Sequence, residues 1–298
     1  MYTLEDIQKR INNIQDLHSI VRTMKVLASI SIRQYEKAVE SLVDYSRTTE
    51  MGLQVALRNR AALVEAKTKQ VERFYGVIVI GSDQGMCGQF NEQIASYTLK
   101  RLDNMGIPQQ RRSVFALGSR AASRLESMGQ PVDHFLPVPS SVEGIRTTVQ
   151  DLLWQIDNWR EKEKRDTMYI FHNHLISSSQ SRPRITRFWP IDPEDFRFLE
   201  KRAWPTNNVP TYTMPWQDLF SAIIRQYLYV ALSRSLAESL ASENTSRLLS
   251  MQVAERNIEE KIAEFTNIYH QQRQNSITSE LLDVVSGFEI LMKEGEKN

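Results

Sequence analysis

Two very long stretches of this chain lack the residues that interrupt helices. Between residues 1 and 74 there is one glycine, Gly52, and no proline, and the 71 residues from Trp216 to Ser286 contain neither. Glycine costs a helix entropy, and proline removes an N–H and clashes with the preceding turn, so their absence permits continuous helices. A helix over the second stretch would be about 105 Å long, which is far beyond the length of helices in ordinary globular domains.

Apolar residues recur in steps of three and four in both stretches. In the first, only Ser31 interrupts the series Ile7, Ile11, Ile14, Leu17, Val21, Met24, Ala28, Ser31, Tyr35, Ala38 and Leu42. In the second, the same steps join Ile258, Ile262 and Phe265, and then Ile277, Leu281, Val284, Phe288 and Leu291. So narrow a stripe is typical of a coiled-coil seam. We therefore expect the two chain ends to form an antiparallel coiled coil; two separate helices in an ordinary bundle are the alternative.

The middle of the chain follows a different pattern. Short β-branched runs at 75–81, 113–118 and 168–175 read as buried strands, and helical segments follow at 119–129 and precede the third strand at 142–164. Strands that alternate with helices indicate a mostly parallel sheet covered by helices. The sequence thus predicts an α+α/β fold, in which coiled-coil segments 1–60 and 216–291 flank an inserted, Rossmann-like α/β domain over 74–215. The proline-rich stretch 183–215 is expected to lead the chain back to the last helix.

Charge and composition exclude several classes of protein. The chain has 37 Lys and Arg against 36 Asp and Glu, whereas nucleic-acid binders normally carry a strongly basic domain. The chain has no run of about 18 apolar residues that could span a bilayer. Its N-terminal residues lack the apolar core of a signal peptide. One cysteine cannot form an internal disulfide. We expect a protein without direct membrane insertion.

The glycine-rich segment GSDQGMCGQFN at 81–91 is the obvious candidate for chemistry. It has neither the lysine and hydroxyl of a P-loop nor the spacing of a dinucleotide fingerprint, so we expect no nucleotide there. No sequence feature ties a base to Cys87, as a nucleophilic thiol would need. His172 and His174 share one strand face, but no further ligand accompanies them, so hydrogen-bonded strand histidines are the simpler interpretation. The sequence predicts no catalytic, cofactor or metal site.

Four segments in order carry a family resemblance. They are RINNIQDLHSIVRTMKVLAS (10–29), GSDQGMCGQFN (81–91), ASENTSRLLSM (241–251) and YHQQRQNSITSELLDVVSG (269–287). From about residue 2 to 291 the chain resembles the γ subunit of F-type ATP synthases. Gln84 and Gln89 replace an arginine and a glycine of the family's glycine-rich motif, which indicates a divergent or alternate bacterial branch.

The resemblance implies a mechanical role. The coiled coil would be a non-catalytic shaft that turns inside a ring of three α and three β subunits, with the α/β domain at its foot. The foot would dock on the ε subunit and on a membrane ring of c subunits, at the cytoplasmic face of the bacterial inner membrane. Rotation driven by ion flow would then force each β site through states that bind, form and release ATP.

The resemblance also implies site residues. Positive charge on the first helix would face an acidic loop of β, from Arg10, Arg22, Lys25 and Arg33. Met24 would match the family's methionine near the lower, β-facing part of the shaft. Further contacts would come from Arg247 and, near the top of the shaft, from Gln274, Thr278 and Glu280. An apolar tip would follow at Val284, Val285, Phe288, Ile290 and Leu291. A structural turn beside the shaft would comprise Asp83, Gly85, Cys87, Gly88 and Asn91.

Two other functions compete with the rotor. A coiled-coil tether without an ATPase partner would self-associate through an unbroken heptad, but the polar stretch 270–276 interrupts the seam. A cytosolic enzyme would need a cofactor loop or a catalytic set in the α/β domain, and the sequence supplies neither. The rotor is therefore the leading hypothesis.

Overall fold

The structure is a computed structural model that describes residues 3–58, 74–163, 165–177, 180–191, 203–205, 207–208 and 210–295. Only the backbone is described for residues 160–163, 165–166 and 287–295. The helices are α1 (Leu4–Arg58), α2 (Phe90–Asn104), α3 (Ser119–Ser127), α4 (Val142–Glu163) and α5 (Trp216–Gly295), and a short 3₁₀ turn covers Gln109–Arg111. The strands are β1 (Phe74–Ile80), β2 (Arg112–Leu117), β3 (His134–Leu136), β4 (Arg165–Ser177) and β5 (Gln180–Trp189).

The five strands form one sheet in the order β3-β2-β1-β4-β5. β1 pairs in parallel with β2 and β4, and β2 pairs in parallel with β3. β5 returns antiparallel to β4 along one edge. Together with the long helices, this sheet confirms the predicted α+α/β class.

The sheet has an apolar core on each face. One contains Val77, Val79 and Phe171 of the strands together with residues of α2 and α3, such as Ile94 and Leu125. The other joins the opposite side chains of the strands to α4 and to the long helices, including Ile78, Phe115, Leu152, Ile170, Tyr35, Leu236 and Leu240. Burying a sheet on both faces explains why its inner strands read as continuous apolar runs in the sequence.

The chain divides into two compact units, and the larger comprises Ala28–Leu249. Within it, the later part of α1 runs antiparallel to the first part of α5. The indole N–H of Trp216 donates to the carbonyl of Ala56 over 2.8 Å, and the Gln226 side chain donates to the Tyr45 hydroxyl. Leu53 and Leu57 are buried against Phe220, Ile223, Ile224 and Tyr227.

The smaller unit comprises Met1–Leu27 and Ser250–Asn298. Ile7, Ile11 and Val21 of α1 are buried there, as the seam predicts. Leu17 is an exception, since it is 53% exposed, and its place in the predicted seam is wrong. The division cuts across both long helices, so it does not test the predicted boundaries 1–60, 74–215 and 216–291.

Two strands escaped the sequence analysis. β3 has only three residues, and β5 contains Pro183 within the stretch that we expected to be a simple return segment. A proline cannot donate to a ladder, but it is tolerated on an edge strand such as β5. The structure does not describe residues 1–2 and 59–60 of the predicted first helix. It also does not describe the side chains of the predicted tip residues Phe288, Ile290 and Leu291.

Candidate functional site

The glycine-rich turn after β1 is organised by hydrogen bonds to two side chains. Asp83 accepts the backbone N–H of Ser119 on one carboxylate oxygen and that of Val138 on the other, both over 2.7 Å. Asn91 accepts the N–H of Ser82 and donates to its hydroxyl. The turn is therefore fixed to the start of α3 and to the segment after β3, and these bonds are those of a structural corner.

Small residues allow close packing at this corner. A Cβ on Gly118, whose φ is +100°, would lie 2.7 Å from the backbone of Ser82. A Cβ on Gly81 would lie 2.2 Å from the Cβ of Ala121. Cys87 is buried, and burial raises the pKa of its thiol. A raised pKa disfavours the thiolate that a nucleophile needs. Gly85 and Gly88 belong to the same turn, and Gly88 has a φ of +58°.

Arg247 lies inside the larger unit and not on its surface. Its residue is 6% exposed, and its guanidinium donates to Glu243 over 2.6 Å and to the Asn244 side chain over 3.2 Å. Burial raises the pKa of Glu243, while Arg247 opposes that rise. The same helix approaches the end of β1, where the hydroxyl of Ser239 donates to the carbonyl of Ile80 over 3.3 Å. The sequence did not indicate that Arg247 would be buried.

The basic residues of α1 differ in their surroundings. Arg10 and Arg22 are exposed in the smaller unit, and Met24 and Lys25 there are half-buried. Lys25 forms an ion pair with Glu255 of α5. Arg33 is exposed in the larger unit. Each of these residues stays a predicted contact to a partner.

The end of α5 carries polar and apolar side chains that are open to solvent. Gln274, Thr278 and Glu280 are all exposed, and the Thr278 hydroxyl donates to the carbonyl of Gln274 over 2.9 Å. Large apolar side chains beside them are also exposed, namely Ile277, Leu281, Leu282, Val284 and Val285. Ile277, Leu281 and Val284 were predicted seam residues, and their exposure makes that part of the predicted seam wrong, as at Leu17.

A buried charged group between β4 and α5 was missed by the sequence analysis. His172 lies 3.0 Å from a carboxylate oxygen of Glu238, and Arg234 donates to the other oxygen over 2.7 Å. Burial would raise the pKa of Glu238, but the bonds from His172 and Arg234 lower it to about 2. Burial lowers the pKa of His172. The Glu238 carboxylate thus accepts a hydrogen bond from the His172 imidazole. A hydrogen bond to His172 was foreseeable for a strand histidine, but its partner was not.

We expect the stability of the protein to fall on acidification because of this pair. The pKa values of His172 and Glu238 are both lower than their ordinary values of 6.5 and 4.5. The unfolded chain therefore takes up protons at a higher pH than the folded chain does. The free energy of unfolding consequently decreases as the pH falls below about 6.5. Urea unfolding at pH 7, 6 and 5 should give a falling free energy of unfolding, with a slope of at most about 1.4 kcal/mol per pH unit from one histidine. His172→Gln should flatten this slope, and the exposed His270→Gln should leave it unchanged; equal slopes in all three proteins would contradict the assignment.

Comparison with known proteins identifies the family. The family model described as ATP synthase matches residues 3–291. The chain belongs to the ATP synthase gamma-chain family. It is 24% identical to the ATP synthase gamma chain of Syntrophus aciditrophicus (strain SB), over 98% of this chain and 100% of that relative. The gamma chain is the central rotor stalk of ATP synthase, so the predicted recognition and function are confirmed.

Solved structures share the fold of this gamma chain. The rotor of the Euglena gracilis mitochondrial ATP synthase in rotational state 1 matches with a TM-score of 0.62 at 14% identity, over 92% of this chain and 98% of that one. The central stalk and c-ring structure of the Tetrahymena thermophila mitochondrial ATP synthase contains a match with a TM-score of 0.56 at 18% identity, over 79% and 99% of the chains. Among the described residues, no helix is both long and apolar enough to cross a membrane.

Proposed function

We propose that this gamma chain is a non-catalytic shaft that transmits rotation between an ion-translocating membrane sector and a ring of catalytic subunits. The observation that carries the proposal is the family match over residues 3–291, because it includes both long helices and the α/β domain between them. The turn after β1 supports a non-catalytic role, since its polar groups bond to one another and its thiol is buried. The chemistry would then take place on other subunits.

The exposed end of α5 is the surface that we assign to the top of the shaft. Isolated soluble proteins rarely leave a contiguous apolar patch open, so Ile277, Leu281 and Val284 are best explained by a sleeve of surrounding subunits. Gln274, Thr278 and Glu280 would form hydrogen bonds to β that break and reform as the shaft turns. A net hydrogen bond contributes only about 0.5–1.5 kcal/mol, which suits a contact that must be released.

The basic residues of α1 are the ones that we assign to contact with an acidic loop of β. Arg10, Arg22 and Arg33 are exposed, and Lys25 and Met24 are partly open. Exposed ion pairs contribute about 0.2–1 kcal/mol each, so attraction here would guide the shaft without locking it. For Arg247 we propose a different role: its bonds to Glu243 and Asn244 would hold α5 in place beside the turn after β1.

The partners follow from the same proposal. We infer three α and three β subunits around each copy of this chain, and an ε subunit and a ring of c subunits at its foot. The two similar solved structures support the part of this inference that concerns the ring, since one is a rotor and the other a central stalk with its c-ring. The assembly would lie at the cytoplasmic face of a bacterial inner membrane.

Purification from the native host tests the proposal. A tagged chain should carry with it two larger subunits at three copies each, as measured by intact-complex mass, together with ATPase activity. Recovery of the chain alone or as a homo-oligomer, under conditions that keep other membrane complexes intact, would favour a coiled-coil tether instead.

Charge reversal on α1 should weaken coupling more than assembly. Arg22→Glu combined with Lys25→Glu replaces attraction to the acidic loop with repulsion, at a cost of on the order of 1–2 kcal/mol from exposed charges. We expect ATP synthesis by inverted vesicles to fall severalfold while subunit stoichiometry is retained. Lys37→Glu is the matched control, because it reverses the charge of an exposed residue on the same helix. Arg22→Glu alone keeps the pair between Lys25 and Glu255 and should give an intermediate result; unchanged synthesis in the double variant would argue against the contact.

A further inference from the structure

α1 and α5 bring three side chains of metal-binding type together in the smaller unit. His18 lies on α1, and Glu255 and Glu259 lie four residues apart on α5. One ligand atom from each residue lies within 4.8 Å of the other two. Because residues four apart share one face of a helix, both carboxylates lie on the same face of α5. We call these three residues the inter-helix cluster.

The imidazole nitrogen of His18 is the decisive feature of the inter-helix cluster. Its Nε2 is shielded from solvent and makes no hydrogen bond to any described residue. It lies 3.5 Å from Oε1 of Glu259. A buried polar atom without a hydrogen bond costs free energy, and this nitrogen lies beside carboxylates that could share a cation with it. The His18 side chain as a whole is 26% exposed, which leaves an open side for an ion to enter.

We propose that the inter-helix cluster binds a zinc-like divalent transition-metal ion and that the ion links α1 to α5. One imidazole and two carboxylates supply three ligands, and water would complete a tetrahedral set. Metal–ligand bonds of about 2.0–2.2 Å place tetrahedral ligand atoms about 3.4 Å apart. Since the ligand atoms already lie within 4.8 Å of one another, the side chains need to close by at most about 1.4 Å. An imidazole ligand favours zinc over magnesium or calcium, which prefer oxygen ligands alone.

Lys25 modulates the affinity of the inter-helix cluster. Its ammonium group bonds to Oε2 of Glu255, which leaves Oε1 of that carboxylate for an ion. The hydrogen bond from Lys25 lowers the pKa of Glu255, and the positive charges of Lys25 and Arg22 lower it further. The same charges repel a cation. Zinc and the Lys25 ammonium therefore compete for one carboxylate, and removing the lysine charge should strengthen zinc binding.

Zinc titration of the purified full-length chain tests this site. We expect one zinc ion per chain, with the melting temperature rising on zinc addition because the ion binds only the folded state. Loss of a ligand should weaken binding by about tenfold or more, since even the partners of ligands cost 10–100-fold; His18→Ala and Glu259→Gln are the variants. Glu260→Gln is the matched control, because Glu260 is exposed on the same helix and pairs with Arg256 instead. Lys25→Gln should tighten binding severalfold.

Substitution with cobalt supplies a readout of geometry. Co²⁺ in a tetrahedral nitrogen and oxygen site absorbs visible light much more strongly than in water, so wild-type protein and Glu260→Gln should show the band and His18→Ala should not. Magnesium at the same concentration should neither raise the melting temperature nor displace cobalt. Equal zinc affinity in wild type, His18→Ala and Glu259→Gln would overturn the proposal, as would the absence of binding at about 100 μM zinc while circular dichroism shows the helices intact. Neither result depends on whether the chain assembles with an ATPase.

Discussion

Replacement of Arg247 by alanine should lower the free energy of unfolding by about 3–5 kcal/mol, the cost of breaking a buried ion pair by removing one partner. The side chains of Arg247 and Glu243 are each 8% exposed and are joined over 2.6 Å. Without the guanidinium, the Glu243 carboxylate would remain buried with no positive charge on it. Urea unfolding at pH 7 measures the effect, which is large relative to a total stability of about 5–15 kcal/mol.

The pH dependence and a second variant identify the cause of this loss. Burial already raises the pKa of Glu243, and removing Arg247 should raise it further. A carboxyl group whose pKa is raised on folding is most favourable when protonated, so the penalty should shrink as the pH falls from 8 towards 5. Glu243→Gln in the Arg247→Ala background should recover part of the stability at pH 8. A loss that is independent of pH and of Glu243 would instead reflect the packing of the arginine stem.

Much of the fold was predictable because its signals are local. The absence of glycine and proline indicated the long helices α1 and α5, and the apolar runs located β1, β2 and β4. β3 was missed because three residues carry too little pattern, and β5 because Pro183 argues against a central strand. Leu17 follows the seam spacing but is exposed, since a repeat of threes and fours does not reveal which partner residue lies opposite.

The polar groups were less predictable because their partners are distant in sequence. Glu238 and Arg234 stand at helical spacing, but nothing local links them to His172 on a strand. The inter-helix cluster likewise joins the two ends of the chain, so its spacing matches no metal-binding motif. Arg247 was assigned to a surface from a resemblance, whereas its burial depends on how α5 packs over the end of β1. Only three-dimensional structure brings such pairs together.

Loss of the polar contacts near the top of the shaft should slow catalysis at sites that this chain does not contain. Gln274→Ala combined with Thr278→Ala removes an amide and a hydroxyl that are exposed on α5. If each group loses a hydrogen bond to β worth about 0.5–1.5 kcal/mol, ATPase turnover of the assembled complex should fall about tenfold, since 1.4 kcal/mol corresponds to a factor of ten. Steady-state ATPase assays on purified complex, normalised to β content, provide the measurement.

The same pair of substitutions should leave the chain itself intact, which separates contact from stability. In the free chain the Thr278 hydroxyl bonds only to the carbonyl of Gln274 among the described residues, and alanine is the better helix former at both positions. Thr278→Ser, in an otherwise unchanged chain, keeps the hydroxyl and should preserve turnover. Gln271→Ala with Ser279→Ala alters exposed polar residues of the same helix and serves as the matched control. Normal turnover in the Gln274 and Thr278 double variant would show that rotation is transmitted without these hydrogen bonds, and the apolar residues Ile277, Leu281 and Val284 would then be the surface to test.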